Sequence, residues 1–229
     1  MTSYMKAAGM SYVLRIVLPD RPGSLGAVAT ALGKAGADIL AMDIVERSVG
    51  HAVDDLVVDL PPNRQPDSLI TAAESVEGVR VESVRPDPGI AETHREWELV
   101  EALALDPKNA LQTLADMLPR VLRAGWAIVV RVVDGRAELV VGGGGVPSLN
   151  GIVPGWAPVT KATGLDGEAH WVPADWKTLG TEMAVAPLGS PDLAILVGRP
   201  GGPALRSSEV ARLGHLAGLT VVVAGLEGK

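Results

Sequence analysis

Cysteine is absent from this 229-residue chain. That excludes disulfides, thiolate nucleophiles and cysteine-ligated zinc, and nothing in the sequence calls for an oxidising compartment. Phenylalanine is absent too, leaving two tyrosines and five tryptophans as the aromatics. The core must therefore be packed from small aliphatic side chains and a few indoles. No cluster of Lys and Arg occurs: 20 basic residues stand against 27 acidic ones, for a formal net charge of −7. A nucleic-acid partner is not expected on that balance; small molecules or proteins are. The opening MTSYMKAAGM lacks the apolar stretch of a secretion signal. The apolar stretch near the end, LTVVVAGL, falls well short of the roughly 20 residues of a membrane span. The expectation is a soluble, cytoplasmic protein with no membrane partner.

Apolar residues make up 47% of the chain, enough to build a packed core. A cluster with Pro86, Pro88 and Gly89 interrupts both helix and strand patterns. It divides the chain into a first domain at 1–85, a linker with a connecting helix at 86–106, and a second domain at 107–229. In the first, Tyr12 to Leu18 reads as a strand, residues 24–35 as a helix, and Ile39 to Val45 and Val53 to Leu60 as two strands. Asp67 to Glu77 reads as a second helix and Val79 to Val84 as a fourth strand. The order β-α-β-β-α-β implies an antiparallel four-stranded sheet with both helices on one face. In the second domain, Asp106-Pro107 marks a helix start with Asp106 as its cap, and Pro119 a kink. A hairpin turns at Asp134-Gly135, and Thr181 to Pro187 and Leu193 to Val197 are two more strands. Ser207 or Ser208 caps a final long helix. Residues 142–180, rich in Gly, Pro and Trp, follow no pattern. The fold class is α+β.

The stretch LPDRPGSLGAV, Leu18 to Val28, joins the first strand to the first helix. Pro19 and Pro22 each fix φ, and Gly23 puts no side chain between backbone and visitor. The helix that begins just beyond has amide hydrogens without intrahelical partners and a positive pole, the features of an anion site. Asp20 supplies the opposite pole and can receive an ammonium. A free amino acid carries both groups. The other reading of these residues is an ordinary tight turn.

Leu18 to Leu25 between strand and helix, followed by Gly36-Ala37-Asp38-Ile39 opening the next strand, resembles an ACT domain over about residues 11–85. The resemblance implies a ferredoxin-like fold and a regulatory module that binds an amino acid. It also implies side-by-side pairing, with ligand at the interface of a homodimer. Carried over by position, it puts Asp20, Arg21, Pro22, Gly23, Ser24 and Leu25 on one wall of the site. Ala37, Asp38 and Ile39 of a neighbouring copy form the other. The second domain resembles a GAF-like domain through its leading helix, the hairpin, the late strands ending in LAILVGRPGG and the closing helix. That resemblance implies no particular ligand.

Catalytic and metal-binding motifs are not recognisable. Gly142 to Gly145 follows a strand, but no helix start follows it, so a loop is expected there rather than a phosphate cradle. His51 with Asp54 and Asp55 fails as a metal set because strand alternation sends the two acids to opposite faces. His94-Arg95-Glu96 lacks the cysteines of a zinc deaminase. Glu168, His170, Trp171, Asp175 and Trp176 either line a pocket or pin a loop to the core by its aromatics. Arg199 either binds an anion or bonds carbonyls of its glycine-rich turn, and His215 sits on the final helix as a surface or interface residue. No cofactor, metal or catalytic residue is expected. The functional expectation is a non-catalytic, amino-acid-sensing regulatory dimer that acts on a protein partner. Its rivals are a ligand-independent interaction adaptor and an enzyme using the Trp/His/Asp region.

Overall fold

The computed structural model describes residues 10–87, 95–149 and 152–226. The chain divides into two compact units, one up to residue 93 and the other from residue 94.

The first unit runs β1 (Met10–Pro19), α1 (Ser24–Lys34), β2 (Asp38–Ser48), β3 (His51–Leu60), α2 (Asp67–Glu74) and β4 (Arg80–Pro86). Its sheet has the order β2-β3-β1-β4, with every neighbouring pair antiparallel. Tyr12, Leu14, Ile16 and Leu18 of β1 share one buried cluster with Val28 and Leu32 of α1 and Leu69 and Ala73 of α2. Both helices therefore cover the same face, as the element order requires. Alternation turns Val13 and Arg15 to the opposite face, where both are buried. Arg15 lies directly across from Asp55 on β3. Its Nε donates to Asp55 Oδ1 at 2.7 Å and its Nη2 to Oδ2 at 2.9 Å, a two-pronged pair that satisfies two charges otherwise costly to bury.

The second unit opens with α3 (Arg95–Leu105), a single 3₁₀ turn (Pro107–Asn109) and α4 (Ala110–Val121). It continues β5 (Trp126–Val133), β6 (Arg136–Gly144), β7 (Thr163–Leu165), α5 (Ala174–Thr178), β8 (Glu182–Ser190), β9 (Leu193–Arg199) and α6 (Ser207–Ala224). Its antiparallel sheet has the order β6-β5-β9-β8-β7. Ala127, Val129, Ile195 and Val197 face Leu99, Leu103, Leu114, Leu118, Leu213 and Leu216 of α3, α4 and α6. Ile128, Val130, Val185 and Leu196 face a second cluster built with Ile152, Val159, Val172 and Trp176. The stretch that showed no pattern in sequence thus closes the other side of the sheet.

Several local readings change. The helix placed in the linker is part of the second unit, because Leu99 and Leu103 are wholly buried in its core. Asp106 precedes its helix, yet makes no capping bond to backbone; its Oδ2 accepts from Asn109 Nδ2 at 2.7 Å instead. Neither Ser207 nor Ser208 is the cap of α6. Arg206 holds that position, and its backbone N–H donates to Glu209 Oε2 at 2.8 Å. The glycine run is not a loop: Gly142 and Gly143 continue β6. A Cβ at Gly143 would fall 2.2 Å from the backbone oxygen of Ala115, so glycine is what lets α4 and β6 approach so closely.

Candidate functional site

The β1–α1 turn is wound tightly. Arg21 N donates to Pro19 O at 2.9 Å and Ser24 N to Arg21 O at 3.2 Å. Asp20 N donates to Gly50 O at 3.2 Å, which ties the turn to the β2–β3 hairpin. Gly23 occupies the N-cap of α1 at φ 91°, ψ −16°, a left-handed conformation that glycine adopts without steric cost. No side chain caps the helix, and its first turn carries no acidic residue. The first intrahelical bond runs from Ala27 N to Gly23 O at 2.9 Å. A positive helix pole therefore faces outward beside Asp20, Arg21, Pro22 and Gly23, all exposed, while Ser24 is buried and Leu25 packs on the core.

Asp20 has a partner that sequence reasoning missed. Arg47, near the end of β2, donates from Nε to Asp20 Oδ2 at 2.9 Å and from Nη2 to Oδ1 at 2.8 Å. That bond holds the Asp20 carboxyl below its ordinary pKa and raises that of Arg47. The only trace of Arg47 in the sequence is a cation just before the Gly50 turn.

Asp54 is the second residue missed in this role. It pairs in register with Ile16 on β1 and Ile44 on β2, so its side chain shares the helix-covered face with Ile16. Asp55 occupies the other face with Arg15, as alternation requires. Asp54 is only 4% exposed, and its buried Oδ1 has no hydrogen-bond partner. Burial raises its pKa first of all, reinforced by the charges of Asp55 and Asp20 and opposed by that of Arg47. Asp20, Arg47 and Asp54 are thus electrostatic neighbours.

Ala37, Asp38 and Ile39 open β2 at the far end of α1. Eleven helical residues separate them from the turn, a span of about 16 Å. Within one copy the two expected walls do not meet. Strand β2 is an edge of its sheet, and Leu40, Met42 and Ile44 along it are exposed.

Elsewhere, the candidates fall out as structure. His51 is exposed, and among the described residues no group of three or more His, Asp or Glu is placed to hold a metal. His94 lies outside the described residues. Glu168, His170 and Asp175 are exposed, whereas the indoles near them are packed. Trp176 packs against Trp126 with ring centres 5.0 Å apart and planes tilted by 52°, and Trp171 meets Trp156 edge-on at 6.5 Å, so the aromatics pin this segment to the sheet. Arg199 is buried and bonds carbonyls, as one of its two readings held. It donates to Leu122 O at 2.6 Å, Pro203 O at 3.0 Å and Arg123 O at 3.2 Å, and to Glu209 Oε1 at 2.6 Å. His215 is exposed on α6.

Residues 12–78 match the family model of the ACT domain. This segment is an ACT domain. The turn and the start of β2 described above both lie inside it. Curated relatives include the NAD-dependent malic enzyme of Geobacillus stearothermophilus, 32% identical over 77 residues, which are 34% of this chain and 16% of that protein. NAD-dependent malic enzyme 1 of Bacillus subtilis (strain 168) is 29% identical over 135 residues, 58% of this chain and 29% of that protein. The chain spans less than a third of the length of these curated relatives. Among solved structures, the nlh2 GAF domain of A. aeolicus in an inactive state is 10% identical, with a TM-score of 0.38, over 58% of this chain and 92% of that one. An unknown protein from Galdieria sulphuraria is 12% identical, with a TM-score of 0.32, over 94% of this chain and 92% of that one. Among the described residues no helix is long and apolar enough to cross a membrane.

Proposed function

We propose that this chain is a non-catalytic, cytoplasmic regulatory protein whose ACT domain binds an amino acid at the Asp20–Leu25 turn, with a second copy supplying Ala37, Asp38 and Ile39. The observation that carries the reading is the head of α1. Gly23 at φ 91° leaves the helix without a side-chain cap, beside the Asp20–Arg47 pair. The positive pole of the helix suits a carboxylate, and the acidic member of that pair an ammonium. Two further features support a dimer. The second wall lies a helix length away within one copy, and β2 presents an open edge with Leu40, Met42 and Ile44 exposed. An unpaired, apolar edge strand is a template for pairing.

The second unit, in this reading, is a GAF-like partner domain that transmits the bound state to a regulated protein. The malic enzymes are similar to a part of this chain only, and we read the shared stretch as accessory to chemistry rather than the seat of it. A ligand of so few atoms binds with an affinity on the order of micromolar to millimolar, which suits sensing of a metabolite pool. The test is a thermal-shift and calorimetric screen of the twenty amino acids at millimolar concentration, with light scattering to count copies. At least one amino acid raises the melting temperature of a dimer. If none does, the sensor reading falls, and a dimer indifferent to all of them makes the chain an interaction adaptor.

A further inference from the structure

The Asp20 carboxylate, the natural receptor for an ammonium by sequence position, already meets Arg47 with both of its oxygens. The unmet capacity lies one strand further in. Asp54 is more than nine-tenths buried, yet Oδ1 bonds to nothing. Buried polar atoms without partners are rare enough that each calls for an explanation. Here the surroundings suggest one. Asp54 and Arg47 lie on the same face of the β2–β3 pair, Arg47 in register with Ala52 and Asp54 one pleat along. The charges of Asp55, Arg47 and Asp20 all act on Asp54; Asp55 is already matched by Arg15, which leaves Asp54, Arg47 and Asp20. The cluster therefore holds two acids and one guanidinium, and is one cation short when both acids are ionised.

We propose that Asp54 receives the ammonium group of an α-amino acid whose carboxylate sits at the uncapped head of α1, near Arg21. This rests on the amino-acid reading of the turn and adds which residue takes which end of the ligand. A primary ammonium fits the deficit: it brings one positive charge and three donors, enough for Asp54 Oδ1 and neighbouring acceptors. A metal ion fits poorly, since Asp20 is engaged by Arg47 and the described residues offer no group of three ligating side chains. Arg47, whose side chain is 68% exposed and anchored at Asp20, is the group that must swing aside to admit the ammonium. In this arrangement Asp20 holds Arg47 in place when no ligand is bound, and Asp54 does the recognising.

Calorimetry on the whole 229-residue chain tests this. The twenty amino acids are titrated first, then the 2-hydroxy acid that matches the tightest binder. The hydroxy acid keeps carboxylate and side chain and lacks the ammonium. On the wild type, exchanging amine for hydroxyl should weaken binding about tenfold or more, the scale of a lost charge-assisted hydrogen bond. Asp54→Asn should weaken the amino acid by a similar factor and leave the hydroxy acid within about twofold, because the two changes remove the same contact. Asp20→Asn should cost less than Asp54→Asn. Should the amide variant fail to fold, Asp54→Ala serves the same comparison, with circular dichroism reporting the fold. Undiminished amino-acid binding by a folded Asp54 variant overturns the assignment and leaves the turn standing as an amino-acid site. A loss at Asp20→Asn with none at Asp54→Asn moves the ammonium to Asp20 and overturns it too. If no amino acid binds the wild type, this inference and the proposed function fall together.

Discussion

Asp54 and Glu209 are both buried acids, one in each unit, and their surroundings could hardly differ more. Glu209 takes Arg199 Nη2 on one oxygen and the Arg206 N–H on the other. Arg199 in turn donates to the carbonyls of Leu122, Arg123 and Pro203. Asp54 keeps a buried oxygen with no partner, and the charges of the exposed Asp20–Arg47 pair act on it. A completed network fixes structure: it ties the end of α4, the end of β9 and the start of α6 together and leaves nothing for a visitor. An incomplete one costs stability, a cost a protein can carry as long as it stays above the threshold that its function needs.

The contrast can be broken most forcefully at Arg199. Arg199→Met strands Glu209 and three carbonyls, and should destabilise the second unit by about 3–5 kcal/mol, read as an early transition in urea unfolding. A loss below about 1 kcal/mol would mean that water replaces the network. Next comes Gly143→Ala, which drives a methyl into the backbone of α4. Its expected cost is about 1–3 kcal/mol, confined to the same unit, and an unchanged midpoint would contradict the close approach. In the ACT domain, Gly23→Val places a branched residue at φ 91° with open space around its Cβ. The penalty is then conformational alone, about 1–2 kcal/mol, and the domain should still fold while losing any amino-acid-induced rise in melting temperature. A retained rise would sever the ligand from the head of α1.

The smallest effect sharpens the comparison from the other side. Asp54 has its pKa raised in the folded state by burial and by Asp55 and Asp20, against the pull of Arg47. The fold thus favours the protonated acid. That contribution is whole below the unfolded carboxylate pKa and is lost as pH rises through the higher folded value. Asp54→Asn should therefore be more stable than the wild type at neutral pH, by on the order of 1 kcal/mol. The gap should close as the solution is made acidic. Equal stability at every pH would show that Asp54 is not an unsatisfied acid in solution. The same substitution at Glu209 should lower stability at neutral pH, because there the carboxylate is paired.

Much of the ACT domain was legible in sequence because its cues are local. Alternation in Tyr12 to Leu18, the apolar spacing of Val28 and Leu32, and Gly23 between proline and helix each act within a few residues. The second unit was less legible for the opposite reason. Gly142 and Gly143 read as a loop until the backbone of Ala115 supplied a reason for glycine in a strand. Residues 145–180 have little periodicity because their indoles and valines are placed one by one against a sheet. The candidate site divides in the same way. The turn from Asp20 to Leu25 was visible, whereas Arg47 and Asp54 were not, since Arg47 reaches Asp20, and Asp54 its place beside Ile16 and Ile44, only through strand pairing across β2, β3 and β1.

By itself the sequence determined the order of elements in the ACT domain, the absence of cysteine and metal chemistry based on it, and a glycine-headed helix after the first strand. These follow from side-chain size, φ preference and periodicity, which are properties of neighbours in the chain. Only the tertiary structure decided that Asp20 is claimed by Arg47, that Asp54 is buried with an oxygen to spare, and that Arg199 is engaged by three carbonyls and Glu209. Hydrogen-bond satisfaction and desolvation depend on which groups the fold brings within about 3 Å of one another, and residues decades apart in sequence meet only when sheets close and helices dock.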